Sequence, residues 1–200
     1  TIYIWTPLVN LGEGINGPDT WEAQPSVSAD GNTIYYAKIG PNTDKHDIYF
    51  SDKQNDGSWG VGKSIGYPIN SRGNDKSPFI HSDSKTLYFV SEVDLDYGRY
   101  GAGGYDIFYT RFDEEKGAWD KPKNIGFPIN TSGNEEGLIV SLDGSKAFFF
   151  SDKQPNKVGG RDIYSFEIPE YAKPEKVALI KGKVTFETEE QKEGAKIEIH

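Results

Sequence analysis

One motif is written twice in this chain, as Trp59-(x)5-Ile65-Gly66-Tyr67-Pro68-Ile69-Asn70 and Trp119-(x)5-Ile125-Gly126-Phe127-Pro128-Ile129-Asn130. A degraded third copy stands near the start as Trp5-(x)5-Leu11-Gly12-Glu13-Gly14-Ile15-Asn16. Recurrence at a period of about 50–60 residues restricts the chain to a repeat architecture, in which each unit is one supersecondary element stacked on the next. The repeat also supplies a control. A residue offered as catalytic in one copy can be checked against its counterpart in the others.

Three units align on Pro25, Pro78 and Leu138. Each begins with a short segment, placed at residues 25–28, 78–82 and 138–141. A tight turn follows: Ala29-Asp30-Gly31-Asn32, Asp83-Ser84-Lys85 and Leu142-Asp143-Gly144-Ser145. Asp and Gly suit these turns because they tolerate the backbone conformations hairpins require. The second segments, Thr33-Ile34-Tyr35-Tyr36-Ala37, Thr86-Leu87-Tyr88-Phe89-Val90-Ser91 and Ala147-Phe148-Phe149-Phe150-Ser151, are β-branched and aromatic without polar alternation. That pattern predicts strands buried on both faces. An aspartate opens each third segment: Asp47-Ile48-Tyr49-Phe50, Asp106-Ile107-Phe108-Tyr109 and Asp162-Ile163-Tyr164-Ser165. In two units the Trp segment then serves as the fourth strand, and Trp59 and Trp119 belong to that structural motif.

Four short antiparallel strands per unit, with no helical period, predict an all-β fold of β-propeller blades. The expected division is residues 1–16 as the fourth strand of a preceding or ring-closing blade, then blades at 17–70, 71–130 and 131–168. No Trp segment follows Asp162-Ile163-Tyr164, so the last blade lacks a fourth strand of its own. Residues 169–177, with two prolines and no periodicity, read as a linker. Two apolar runs within 178–200 predict the start of a β-sandwich. The absence of methionine and the half-strand at 197–199 predict that this is a piece of a longer polypeptide with further blades upstream.

Composition narrows the function classes. The net charge is -9, which disfavours a phosphate-binding groove and argues against nucleic-acid partners. There is no cysteine, hence no disulfide, thiolate metal site or thiol nucleophile. No stretch approaches the 18 apolar residues of a membrane span.

These residues resemble the WD40-like propeller repeats called PD40, also found in TolB. The nearest form is that of OmpA-family proteins of Bacteroidetes-type bacteria, matched by Gly159-Gly160-Arg161-Asp162-Ile163-Tyr164 over a propeller of about residues 1–168. The tail, Leu179-Ile180-Lys181-Gly182-Lys183-Val184 and Glu193-Gly194-Ala195-Lys196-Ile197, is similar to the carboxypeptidase-regulatory-like domain that follows such propellers. The order of the two resembles the periplasmic component that tethers the type IX secretion and gliding apparatus to peptidoglycan. The resemblance implies a non-enzymatic scaffold in the periplasm, associated with the outer membrane, with envelope proteins of a multi-component assembly as partners. Peptidoglycan would be reached through an OmpA-like domain lying outside this chain.

Several motifs imitate active sites. Gly62-Lys63-Ser64-Ile65-Gly66 matches the G-x-S-x-G elbow, but that elbow needs a helix after it, and Tyr67-Pro68 cannot start one. The counterpart of Ser64 is Asn124. Gly12-Glu13-Gly14-Ile15-Asn16-Gly17 matches the dinucleotide fingerprint, again without its helix. Ser28-Ala29-Asp30-Gly31 resembles a sialidase-type Asp-box with one residue missing, and a glycosidase would need two carboxylates across a cleft. Asp94-Leu95-Asp96-Tyr97-Gly98 offers oxygen ligands to a hard cation but reads as a solvated turn. His46, His81 and His200 lack metal-ligand spacing. Asn130-Thr131-Ser132 is a formal glycosylation acceptor of little meaning in a bacterial chain. No catalytic residue, cofactor or metal is therefore expected. Asp47, Asp106 and Asp162 recur once per blade, which predicts a structural role in pinning the loop into the third strand.

The expected function is protein interaction through loops on a rigid disc, chiefly residues 92–104 and 154–160. Within them Tyr97, Arg99 and Tyr100 are the candidate partner contacts, since Tyr and Arg are enriched at binding hot spots. The competing readings are a gating propeller of a prolyl-oligopeptidase-like peptidase and a channel that binds glycans or muropeptides by aromatic stacking.

Overall fold

The computed structural model describes residues 5–178, and the expected sandwich start lies almost wholly outside them. Three antiparallel sheets follow one another along the chain. The first holds β1 (Trp21–Val27), β2 (Thr33–Ile39), β3 (His46–Asp52) and β4 (Lys63–Ser64) in sequence order. The second holds β5 (Asp75–Ile80), β6 (Thr86–Glu92), β7 (Tyr105–Asp113), β8 (Ala118–Trp119) and β9 (Lys123–Asn124), the last two both pairing with β7. The third holds β10 (Glu135–Val140), β11 (Lys146–Ser151) and β12 (Asp162–Glu167). The first strands lie side by side, β5 between β1 and β10, so successive sheets pack as propeller blades. The fold is all-β, as the repeat pattern requires.

The first strand of each blade begins three or four residues earlier than the segments at 25–28, 78–82 and 138–141 suggest. The cause is a bulge at the same place in all three, between Ala23 and Ser26, Lys76 and Phe79, and Glu136 and Ile139. Within each bulge one residue takes a left-handed conformation: Gln24 at φ 56°, Ser77 at 51° and Gly137 at 67°. A bulge of this kind re-aims the backbone and breaks the alternation by which a strand is recognised. The redirected groups join neighbouring blades. Ser77 donates its N–H to Gln24 Oε1 at 2.9 Å, and Ile80 donates to Ser26 Oγ at 3.0 Å.

The core lies between the blades. Ile48, Ile69, Ile80, Leu87, Phe89 and Phe108 fill the junction of the first two, with Tyr35, Ile65 and Trp119 against them. A second cluster joins blades two and three through Tyr88, Val90, Ile107, Ile125, Ile129, Leu138 and Phe149. The second strands were expected to be buried on both faces, and β6 is, from Thr86 to Ser91. By contrast β11 alternates and leaves Phe148 exposed. The difference is positional. Blades one and three cover both faces of β6, whereas β11 has one neighbouring blade among the described residues.

Candidate interaction site

The repeated exit motif builds the frame of the site. Its glycine adopts a left-handed conformation in every copy, at φ 86° for Gly12, 68° for Gly66 and 86° for Gly126. Its carbonyl then accepts the N–H groups three and four residues on, from Ile15 and Asn16, Ile69 and Asn70, and Ile129 and Asn130. The asparagine closing the motif acts as a piece of backbone. Asn70 Oδ1 accepts from Ile48 N and its Nδ2 donates to Ile48 O, at 2.9 and 3.0 Å. Asn130 does the same to Ile107, at 2.9 Å for both bonds.

This frame takes up the residues of the motifs that imitate active sites. Ser64 Oγ accepts from Asn70 Nδ2 and Gly66 N, as Asn124 Oδ1 accepts from Asn130 Nδ2 and Gly126 N. Asn10 repeats the arrangement with Gly12 and Asn16, so the dinucleotide-like glycines form the same turn. Asn130, the formal glycosylation acceptor, is buried with its amide occupied. Asp30 and Asp143 close their hairpin turns on Ser28 and Asn32, and on Ser141 and Ser145.

The recurrent third-strand aspartates divide. Asp106 Oδ2 accepts from Ala102 N at 2.6 Å and Asn124 Nδ2 at 2.8 Å, and Asp162 accepts from Val158 and Gly159. Asp47, expected to pin its loop in the same way, takes no such bond from the loop at residues 40–45. Burial pushes the Asp47 carboxyl up, and the neighbouring Asp75 pushes it further. Burial also raises Asp106, against the bonds from Ala102 and Asn124. Trp59 and Trp119 are half-buried at the outer edges of their blades, Trp119 meeting Phe112 edge-on at 5.4 Å.

One feature of this frame is missing from the motif as read in the sequence. The repeat runs on past its asparagine, as Ser71-Arg72-Gly73-Asn74-Asp75 and Thr131-Ser132-Gly133-Asn134-Glu135. Asp75 Oδ2 accepts from both the N–H and the hydroxyl of Ser71, and Glu135 accepts equivalently from Thr131. Asn74 and Asn134 accept from the preceding blade, at His46 N and Tyr105 N. Extending the alignment of the two copies by five residues would have exposed this.

The candidate contacts sit where the first exit motif meets the loop after β6. Asp94 caps a 3-10 turn at Leu95–Tyr97 and also takes the N–H of Arg72, and Asp96 pairs with Arg72 at 3.2 Å. Among the described residues no group of acidic or histidine side chains is arranged to hold a metal ion. Tyr97 is half-buried. It meets Tyr67 edge-on at 6.0 Å, and the Arg72 guanidinium lies 5.1 Å from its ring centroid. Tyr100 and Tyr67 are exposed at 69% and 70%. With Asp96, Gly98 and Lys121 these tyrosines line a cleft of about 340 Å3.

Arg99 is a correction. Read as a partner contact between two tyrosines, it is 1% exposed and turned inward. Its Nη2 donates to the carbonyls of Pro68 and Ile69, and its guanidinium lies 5.3 and 5.5 Å from the Phe89 and Phe108 rings. It fastens the loop to the exit motif from below and cannot touch a partner. In the third blade Gln154 does this work, donating to Pro128 O at 3.0 Å and Ile129 O at 2.6 Å. Arg99→Gln is therefore expected to stay within about 1 kcal/mol of the parent in urea unfolding, while Arg99→Ala loses about 3 kcal/mol. Equal losses for both would show that the charge over the rings matters, not the carbonyl cap.

No protein-family model matches the chain, and no curated protein is a significant match. Solved structures do resemble it. A putative TolB from Agrobacterium tumefaciens is similar at a TM-score of 0.51 and 18% identity, over 79% of this chain and 48% of that one. TolB from Acinetobacter baumannii aligns at 0.46 and 16%, over 74% and 30%. An α-L-arabinofuranosidase from Lactobacillus brevis aligns at 0.48 and 19%, over 81% and 54%. The chain thus spans about half the length of the first of these, and at such identity the likeness is one of fold. That fold is a TolB-like β-propeller. No helix among the described residues is long and apolar enough to cross a membrane.

Proposed function

We propose that this chain is a non-enzymatic interaction scaffold, and that the Tyr67–Tyr97–Tyr100 cleft is its contact surface. The observation that carries this reading is the pairing of three tyrosines, two of them well exposed, with a loop anchored beneath by a buried arginine. Rigid aromatic side chains on a fixed support bind with little loss of conformational entropy. Asp96 and Lys121 at the rim add one charge of each sign, which suits a peptide segment better than a polyanion. The use of Ser64, Gly12 and Asp30 in backbone bonding supports the non-enzymatic part.

The finer placement rests on the resemblance of the blades and the order of the segments. On that basis the chain belongs to an OmpA-family peptidoglycan tether of Bacteroidetes type, in the periplasm beside the outer membrane. Its partners are then envelope proteins of a type IX secretion or gliding assembly. A photo-crosslinking side chain at position 100, compared with one at Lys116 on the β7–β8 turn, tests the surface in cells. A discrete adduct at 100, absent at 116 and lost on Tyr67→Ala with Tyr97→Ala, is the expected result. Equal adducts at both positions, or none at 100, would sink the assignment.

A further inference from the structure

The two junctions between described blades carry the same pair of cross-strand rings, Tyr35–Phe50 at 6.3 Å and Tyr88–Tyr109 at 6.4 Å. At the second junction the chain covers the pair itself. Ile168 and Ala172 enter the core there, Tyr171 meets Tyr109 at 6.4 Å, and Ala172 O accepts from the Tyr88 hydroxyl at 2.6 Å. A cation holds this strap. Arg111, two residues past Tyr109, lies 5.4 Å from its ring and donates to the carbonyls of Tyr171 and Lys173 at 3.2 and 2.6 Å.

The first junction follows the same plan with different chemistry. Tyr35, Phe50, Ser84, Phe112 and Trp119 line a cleft of about 230 Å3. Phe112 stands where Ile168 stands one blade on, each donating its N–H beside the hairpin turn, to Lys85 O and Ser145 O. Trp119 meets Tyr35 at 6.3 Å and Phe112 at 5.4 Å, both edge-on, so neighbouring rings stand nearly at right angles. Two replacements within the repeat change what such a cleft accepts. The place of Arg111 is taken by Asp52, two residues past Phe50 and therefore on the same face of β3. The place of Gly144 is taken by Ser84, and both are left-handed, at φ 66° and 56°. Pro174 of the strap lies so close over Gly144 that a Cβ there would meet its Cγ at 2.5 Å. Ser84 thus excludes a proline seated in that way and leaves room for a slender group.

Charge selects the occupant. Burial, then Asp52 and Asp30, push the Tyr35 hydroxyl up to about 12, which marks a negative field at the cleft. Of the nearby lysines, Lys63 lies 5.8 Å from the Phe50 ring, and Lys85 is paired with Glu114 at 2.8 Å and Glu175 at 3.6 Å. Aromatic faces beside a carboxylate suit a guanidinium, which stacks on rings and hydrogen-bonds in its own plane. We propose that this cleft is a second contact site, taking an arginine side chain of a partner protein, with the guanidinium against the rings and paired with Asp52. The site lies at the opposite end of β6 from the tyrosine cleft, since Ser84 precedes that strand and Leu95–Tyr97 follow it. It does not rest on that surface.

Titration with Nα-acetyl-arginine methylamide is expected to shift the Trp119 indole N–H resonance saturably, the signal being assigned by its loss in Trp119→Phe. The citrulline analogue has nearly the same shape without the charge and is expected to bind about tenfold more weakly. Asp52→Asn is expected to weaken the arginine derivative by about tenfold. Asp52 is exposed, and an unchanged circular dichroism spectrum checks that the variant is folded. Tyr67→Ala with Tyr97→Ala is expected to leave the titration as it was, which separates this site from the other surface. The inference is overturned if no saturable shift is seen, if citrulline binds equally, if Asp52→Asn binds like the parent, or if the tyrosine variant abolishes binding. Saturation by tetramethylammonium but not by the arginine derivative would overturn it in favour of a small quaternary amine.

Discussion

Replacing Asn130 with alanine is expected to destabilise the fold by about 3 kcal/mol, read as a lower urea midpoint at unchanged slope. The side chain is fully buried and donates to Ile107 O and to Asn124 Oδ1 at 2.9 and 2.7 Å, while accepting from Ile107 N at 2.9 Å. Without it Ile107 O still receives Ile125 N, but the Ile107 N–H is left in a dry junction with no acceptor. A buried donor stripped of its partner costs about 1–3 kcal/mol beyond the bonds themselves. Against a total stability of about 5–15 kcal/mol this is a large share. Asn130→Asp is expected to be no better, because a carboxylate oxygen would face the Ile107 carbonyl. A loss below about 1 kcal/mol in the alanine variant would show that the motif's asparagine does not hold the third strand.

The second large effect is expected at Asp83, and it depends on pH. Its two oxygens accept from Lys85 N, Thr86 N, Thr86 Oγ1 and Glu175 N, between 2.7 and 2.9 Å. Burial pushes this carboxyl up, but the adjacent His81 ring and the hydrogen bonds from Thr86 and Lys85 outweigh burial and hold it well below its ordinary value of 3.8. A depressed carboxyl stabilises the folded state above its unfolded value, and that contribution fades as the pH falls from about 3.8 towards the folded value. Asp83→Asn is therefore expected to cost on the order of 3 kcal/mol at pH 7. The gap between variant and parent should narrow in acid below pH 4. Asp75 and Asp106 work in the opposite sense, since burial raises both and their protonation in acid relieves the folded state. Comparing Asp83→Asn with the parent at each pH isolates the one group. A gap that stays constant from pH 7 down to pH 3 would contradict the assignment.

Strands two and three of each blade were legible because their β-branched and aromatic runs are local signals, bounded by Asp-Gly turns. The starts of the first strands were not. A left-handed residue at Gln24, Ser77 or Gly137, followed in two blades by proline, looks in sequence like a chain break. It is in fact a bulge inside a strand. Arg99 was misread for a different reason. A cation flanked by tyrosines in a glycine-rich loop has the composition of a contact surface, and only the fold brings the carbonyls of Pro68 and Ile69 beneath it. Tyr97 and Tyr100 were singled out from the same composition and do line one cleft, but Tyr67, which lines it with them, was hidden inside a motif read as scaffold.

The asparagine fastening of the third strands has a direction. Asn70 and Asn74 both grip β3, and Asn130 and Asn134 both grip β7, so the third strands of the first two blades are secured by residues synthesised after them. A third strand such as β7 leaves the ribosome about one exit motif ahead of the groups that hold it. In vectorial synthesis the asparagine clasps on β3 and β7 can therefore close only one motif after the strands they hold.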